Sequence, residues 1–168
     1  MKKKILNVGV VGCGYWGPNL IRNFRALQEC KMKVICDQDV NRLKQLKALY
    51  PEVQTETVFE KVLADKSIDA LIIATPVRFH YKMAKASLEA GKHTFIEKPM
   101  ASSSAECEEL NEIAAKNGLT LMIGHTFLYS SPVRKIKEIV KSGDIGQIQY
   151  ISSRRLNLGL YQKDINVA

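Results

Sequence analysis

Apolar residues recur along the chain with two alternating spacings, and each change of spacing marks a change of element. Residues 5–11 are mostly apolar and β-branched, the composition of a strand buried on both faces of a parallel sheet. Glycines follow at once. Residues 17–28 then set Leu20, Ile21, Phe24 and Leu27 on one helical face, and Pro18 lies near the first turn, where its missing N–H costs little. Residues 32–36 form a second short apolar run, and 40–50 carry Leu43, Leu46 and Leu49 at helical spacing. The alternation continues through a weak strand at 53–55, a helix at 58–64, a strand at 69–74, a helix at 79–90 and a strand at 93–96. Ser103 with Glu106 makes a capping box for a helix running to about residue 116, and Gly118 is placed to stop it. A strand at 119–123 and a helix at 133–140, closed by Ser142 and Gly143, complete the series. Such strand–helix alternation predicts an α/β fold with a doubly wound parallel sheet, because right-handed crossovers place helices on both faces.

The period then breaks. Residues 147–156 alternate only partly and lack a following helix, which predicts the first strand of a second, α+β domain, truncated at residue 168. Such a strand has an unpaired edge and is expected either to pair with another chain, the favoured reading, or to be disordered. The organisation read from the sequence is therefore 1–124 for the doubly wound domain, 125–144 for a connecting helix and 145–168 for the start of a C-terminal domain.

Composition places the chain among soluble globular proteins, with 46% hydrophobic and 25% charged residues. No apolar run approaches the roughly 20 residues that span a bilayer, so a membrane is not expected as partner and the chain reads as cytoplasmic. The cysteines Cys13, Cys30, Cys36 and Cys107 form no CxxC pair and have no accompanying histidine spacing, so they read as reduced packing residues and no metal site is expected. The net charge of +8 raises the question of nucleic acid, yet apart from Lys2 to Lys4 the lysines are scattered over helical faces. A solvated basic surface is the better reading, and its field suits a phosphorylated substrate or a dinucleotide.

Chemistry enters at the first strand–helix junction. Gly12-Cys-Gly-Tyr-Trp-Gly17 follows a buried strand, opens a helix, and precedes Asp37 by 20 residues counted from Gly17. That is the spacing of the Rossmann dinucleotide fingerprint. Gly12 permits the tight turn, Gly14 lets backbone approach a pyrophosphate, and Gly17 lets the helix sit close to the strand, with Tyr15 and Trp16 in the turn between them. The helix N-terminus presents free amides and partial positive charge to the phosphates. Asp37 would accept hydrogen bonds from the adenosine ribose and repel a 2′-phosphate, which favours NAD over NADP, although Arg42 nearby keeps NADP open. FAD and S-adenosylmethionine sites use related turns, so the fingerprint alone defines a nucleotide ligand and leaves the chemistry open.

A second motif, Glu97-Lys98-Pro99, follows the strand at 93–96 and so lies at the carboxyl edge of the sheet, where ligands bind. A lysine there can hydrogen-bond a reacting hydroxyl and, if desolvated, share in proton transfer, with Glu97 holding it by a charge-assisted contact. A solvated Glu-Lys pair is the alternative from these residues alone.

The glycine turn, Asp37, the Ala74-Thr75-Pro76 run with His80, and Glu97-Lys98-Pro99 together resemble the glucose-fructose oxidoreductase, inositol dehydrogenase and rhizopine-catabolism family, Gfo/Idh/MocA. The resemblance implies catalytic roles for Lys98 and Glu97. It also implies that Ala74, Thr75 and Pro76 line the cofactor and that His80 lies near the nicotinamide side. The stretches from Gly124 to Phe127 and from Ser153 to Gly159, with Tyr161, Asp164 and Asn166, are similar to the branch acting on UDP-N-acetylglucosamine or its uronic acid. This makes His125, Arg154 and Arg155 candidate substrate residues, either arginine being suited to bidentate contact with a carboxylate or pyrophosphate. In that family an Asp and His pair of the second domain completes proton transfer, and none of His80, His93 and His125 matches it. The chain is therefore expected to bind NAD without turnover on its own, its parent being a sugar or sugar-nucleotide dehydrogenase and a homo-oligomer built through the second domain. A non-catalytic NAD-binding module is the alternative.

Overall fold

The computed structural model describes residues 5–154 and Leu156. In chain order the elements are β1 (Leu6–Val11), α1 (Gly17–Arg25), β2 (Cys30–Cys36), α2 (Val40–Leu49), β3 (Gln54–Glu56), α3 (Phe59–Ala64), β4 (Ala70–Ile73), α4 (His80–Glu89), β5 (His93–Ile96), α5 (Ser104–Lys116), β6 (Leu121–Ile123) and α6 (Ser131–Ser142). Short 3₁₀ turns, Val77–Phe79 and Thr126–Tyr129, precede α4 and α6. The six strands form one parallel sheet in the order β3-β2-β1-β4-β5-β6, the doubly wound arrangement that the alternation predicts. Successive strands step outward from β1 in one direction and then from β4 in the other.

The buried strands separate two cores by simple alternation. Val8, Val10, Ile35 and Ile72 turn to one face and pack with Leu20 and Ile21 of α1 and Leu43 and Leu46 of α2. Val11, Val34, Cys36 and Leu71 turn to the other, against Val62 and Ile68. On that face Ile73 and Ile96 meet Ala84 and Leu88 of α4 and Leu110 and Ala114 of α5, and Met83 touches both groups. Each fully buried side chain of this size contributes about 1.5–3 kcal/mol, so the sheet is held from both sides.

Local differences from the sequence reading have physical causes. Helix α1 stops at Arg25 because residues 26–30 fold into a tight turn, Leu27 N–H bonding Phe24 O at 3.3 Å and Cys30 N–H bonding Leu27 O at 3.3 Å. Leu27 consequently leaves the predicted apolar face and is 47% exposed. Strand β2 starts earlier than predicted, at Cys30, because Cys30 pairs with Leu6. Ser103 caps α5 by accepting from Glu106 N–H at 3.3 Å, whereas the Glu106 carboxylate takes Ser102 N–H at 2.9 Å, one residue short of a reciprocal box. Gly118, at φ 63°, ends α5, and Leu119 N–H reaches back to Ala114 O at 2.8 Å, a Schellman closure that delays β6 to Leu121.

The chain divides into two compact units, Met1–Gly124 and His125–Ala168. In the second, Ser130 caps α6 and Gly143, at φ 80°, terminates it. The strand expected at 147–156 is not formed: its described residues, 147–154 and 156, are irregular. A strand exists only as a member of a ladder, and no described segment pairs with these backbone groups. Arg155 lies outside the described residues. Among the described residues no helix is long and apolar enough to cross a membrane.

The cysteines are free, with Cys13 and Cys36 buried. Burial, followed by the nearby Asp37 charge, pushes the Cys13 thiol up to about 12, and burial with the Glu56 charge next does the same for Cys36. At pH 8 the thiolate fraction of each is then roughly one in ten thousand. Ellman titration of the native protein is expected to reach only Cys30 and Cys107, and all four thiols after denaturation; rapid native labelling of Cys13 or Cys36 would contradict this packing.

Candidate active site

Five strands deliver their next residue to a common line at the carboxyl edge of the sheet. Val11 pairs with both Cys36 and Ile73, Ile73 with Ile96, and Ile96 with Ile123. One further hydrogen bond then fixes each following residue: Gly12 N–H to Cys36 O at 2.9 Å, Ala74 N–H to Val11 O at 2.8 Å, Glu97 N–H to Ile73 O at 2.9 Å and Gly124 N–H to Ile96 O at 2.8 Å. Asp37 joins the row through its N–H to Glu56 O at 3.2 Å. Across the edge the order is Asp37, Gly12, Ala74, Glu97, Gly124, with neighbours about 4.8 Å apart. The strand order reverses between β1 and β4, and in open parallel sheets that reversal opens the ligand crevice.

The glycine turn is shaped by close approach. Gly12 has φ 93°, and a Cβ there would lie 2.6 Å from the Ala74 carbonyl carbon. A Cβ on Gly17 would lie 2.3 Å from Gly12 O, so only glycine lets α1 start against the turn. Beside Gly14 there is room, the nearest atom to a built Cβ being Arg42 Nη1 at 3.9 Å. Helix α1, like α4, begins without a side-chain cap or an acidic residue in its first turn, whereas Asp39, Ser103 and Ser130 cap α2, α5 and α6. Pro18 has no N–H, Asn19 N–H bonds Trp16 O at 3.0 Å and Cys13 N–H is taken by Asp37, so any amide left for a ligand lies between Gly14 and Gly17. Tyr15 and Trp16 are exposed in the turn, their rings stacked with centroids 6.3 Å apart.

Asp37 is aimed into this turn. Its Oδ2 accepts from Cys13 N–H at 2.6 Å and its Oδ1 from Asp39 N–H at 2.8 Å. Arg42 lies beside it, Nη1 3.8 Å from Asp37 Oδ2 and Nε 3.4 Å from Asp39 Oδ2, with its side chain half exposed. The open space at Gly14, the uncapped amides and the carboxylate facing them fit a dinucleotide. Two hollows of about 340 Å³ each lie elsewhere, one against α2 and β3 and one at the amino end of the sheet.

On the β4 and β5 side, Thr75 is half-buried and Pro76 exposed. His80 is only 1% exposed, and its ring nitrogens face backbone carbonyls, Nδ1 to Pro99 O and Nε2 to Thr75 O, each at 2.7 Å. Both polar atoms of the ring therefore face backbone carbonyls of the loops after β4 and β5. Glu97 rests against Gly124, where a Cβ would come within 2.9 Å of its Oε1. Its Oε2 accepts from the Lys98 backbone N–H at 3.3 Å. The predicted ion pair is corrected accordingly, since among the described residues the Lys98 ammonium makes none. Lys98 is exposed and precedes a cis Pro99. The condition of desolvation is not met by the described residues, and Lys98 stands as an exposed hydrogen-bond donor.

His125 directly follows Gly124 and is exposed, as is Arg154. Sequence reading missed the Asp39 cap, although an Asp just before the periodic run of α2 is a readable start signal. It also missed Gly124 as the seat of Glu97 and the Pro99 carbonyl as a partner of His80, neither of which has a local signal.

Gly turn, acidic residue and switch-point crevice define a nucleotide-binding Rossmann domain. Residues 6–125 match the model of the oxidoreductase family with an NAD-binding Rossmann fold, Gfo/Idh/MocA, and the chain belongs to that family. It is 30% identical over 157 residues to a 1-carboxy-3-chloro-3,4-dihydroxycyclohexa-1,5-diene dehydrogenase of Comamonas testosteroni, covering 94% of this chain and 40% of that protein. It is 29% identical over 155 residues to an inositol 2-dehydrogenase of Salmonella paratyphi B, covering 90% and 46%. The crystal structure of scyllo-inositol dehydrogenase from Lactobacillus casei with bound NAD(H) and scyllo-inositol superposes with a TM-score of 0.79 at 26% identity, covering 85% of this chain and 43% of that one. The chain thus spans less than half the length of these relatives.

Proposed function

We propose that this chain is the cofactor-binding part of an NAD-dependent dehydrogenase that oxidises a carbinol carbon of a sugar or sugar nucleotide. The observation that carries the reading is the row of strand ends, which sets the open glycine turn and the Glu97–Lys98 segment two strands apart on one edge, about 10 Å. Gly12, Gly14, Tyr15, Trp16 and Gly17 hold the pyrophosphate end, Asp37 and Arg42 the adenosine end, and Ala74, Thr75 and Pro76 the stretch between. Bound NAD supplies the hydride acceptor. Lys98 donates a hydrogen bond to the reacting oxygen and stabilises the negative charge that develops on it as the hydroxyl proton passes to water or a neighbouring base, while Glu97 fixes the Lys98 backbone. The hydroxylated rings in the names of the relatives support a polyol-like substrate. The basic surface, with Arg154 exposed in the second unit and His125 next to Gly124, supports an anionic one such as a sugar nucleotide.

Two measurements test this. NADH fluorescence titration of the chain is expected to show saturable binding, and no binding at millimolar NADH would reject the reading. In a protein extended to the relatives' length, a panel of inositols, sugars and UDP-sugars is then followed by NADH formation. Lys98→Ala is expected to leave NADH affinity within about threefold and to lower kcat/KM by about 100-fold or more.

A further inference from the structure

Beside the glycine turn, one guanidinium is set between two carboxylates. Arg42 faces Asp37 Oδ2 through Nη1 at 3.8 Å and Asp39 Oδ2 through Nε at 3.4 Å. The same Nη1 lies 3.9 Å from a Cβ built on Gly14, so the cluster borders the space left for a ligand. Asp39 divides its two oxygens between two tasks. Its Oδ1 accepts from Asn41 N–H at 2.9 Å and from Arg42 N–H at 3.3 Å, which caps α2 and anchors the carboxylate, and its Oδ2 is turned to the guanidinium. Asp37 in turn accepts from Asp39 N–H at 2.8 Å, which ties the two acids together. Loss of the Asp37 charge alone therefore leaves Arg42 matched by Asp39. Only when both carboxylates are gone is the guanidinium an unmatched cation, suited to a phosphate.

We propose that Asp39 helps to decide the choice of cofactor as a positioning residue for Arg42, holding the guanidinium back from a 2′-phosphate while it caps α2. Selection against NADPH is then shared between Asp37 and Asp39. The cofactor choice rests on the dinucleotide reading of the glycine turn and Asp37; the pairing of Asp39 with Arg42 does not. The side chains of Asp39 and Arg42 are 43% and 50% exposed, so water and salt screen the pair, and Asp39 carries the smaller share beside Asp37, whose side chain is 10% exposed. The cap also determines which replacements isolate the charge. Asparagine and serine each keep a side-chain oxygen for the Asn41 and Arg42 amides and remove only the negative charge.

Fluorescence titrations of the chain with NADH and with NADPH at low salt test this. Asp39→Asn is expected to move the ratio of affinities toward NADPH by about threefold, both in the otherwise unaltered chain and in an Asp37→Asn background, and the shift is expected to shrink at high salt. Asp39→Ser should reproduce it, and thermal denaturation should place both variants within about 5 °C of the unaltered chain, because the cap is kept. In Arg42→Ala the same substitution is expected to leave the ratio unmoved, since the screened Asp39 charge then has no guanidinium to hold. An unchanged ratio in both backgrounds overturns the proposal. A shift that persists in full without Arg42 overturns the positioning role and shows direct repulsion by Asp39 instead. If the unaltered chain binds neither cofactor at millimolar concentration, the dinucleotide reading falls and takes the proposal with it, a result seen before any variant is made.

Discussion

Gly14→Ala is expected to leave the fold intact and to abolish useful NADH binding, whereas Gly12→Ala and Gly17→Ala lose both. At Gly14 nothing but the end of a flexible arginine lies near a built Cβ, at 3.9 Å, so the folded state should change by no more than about 1 kcal/mol. The same methyl group, however, occupies the space through which phosphate oxygens must come to about 2.9 Å of backbone N–H groups. A loss of about 100-fold in NADH affinity, near 2.7 kcal/mol, is the expected cost. At Gly12 the φ of 93° and the Cβ contact of 2.6 Å with Ala74 backbone act together. Strain of roughly 1–3 kcal/mol and overpacking of roughly 1–3 kcal/mol put the destabilisation near 3 kcal/mol or above. At Gly17 the opposing atom is Gly12 O at 2.3 Å, which cannot yield without moving the turn. Thermal denaturation alongside calorimetric titration separates the cases. Wild-type NADH affinity in Gly14→Ala would mean that the dinucleotide does not lie on this turn.

Most of the sheet is legible along the chain because parallel strands buried on both faces are continuous apolar runs, and the helices between them keep the helical period. β1 and β4 show this directly, and the one strand predicted as weak, β3, is a three-residue edge strand with exposed Gln54 and Thr55. The helix ends follow the same logic wherever a cap residue marks them, as Ser103 and Gly118 do for α5. Misplacements fall where tertiary pairing overrides local composition. Cys30 is drawn into β2 by its partner Leu6, and the 147–154 segment, though strand-like in pattern, has no ladder to join among the described residues.

The site divides along the same line. Gly12, Gly14, Gly17 and Asp37 are readable because their chemistry requires fixed spacing within one strand–helix–strand unit. The behaviour of His80 is not, because its partners come from loops after two different strands, five and 19 residues away. Glu97 shows the same limit: its neighbour in sequence, Lys98, suggests an ion pair, while the fold seats its carboxylate on Gly124 and its own following amide. Sequence spacing reveals which residues reach the edge of the sheet, and only the register reveals which of them meet.

Asp37→Ser is expected to weaken NADH binding and to move the preference toward NADPH, by about 100-fold in the ratio of affinities. The Asp37 carboxylate would repel a 2′-phosphate, and removing it leaves Arg42 paired through Nε with Asp39 Oδ2 at 3.4 Å while its Nη1, 3.8 Å from Asp37 Oδ2, is released to meet that phosphate instead. A change of about 2.7 kcal/mol in the difference between the two cofactors is in keeping with losing one repulsive contact and gaining one charge-assisted one. The substitution also carries a structural cost, because Asp37 accepts from the Cys13 and Asp39 amides at 2.6 and 2.8 Å. A serine hydroxyl is too short to serve both, and an amide left without its acceptor costs about 1–3 kcal/mol. Asp37→Asn separates the two effects: its oxygen retains one amide and its size is unchanged, so most of the stability should return while the charge stays absent. Adding Arg42→Ala to either variant should cancel the gain for NADPH, since the phosphate then has no guanidinium to meet. Fluorescence titrations with both cofactors at low and at high salt read all of this, the NADPH gain shrinking as salt screens the new ion pair. An unchanged preference for NADH in Asp37→Ser would show that the ribose is gripped elsewhere.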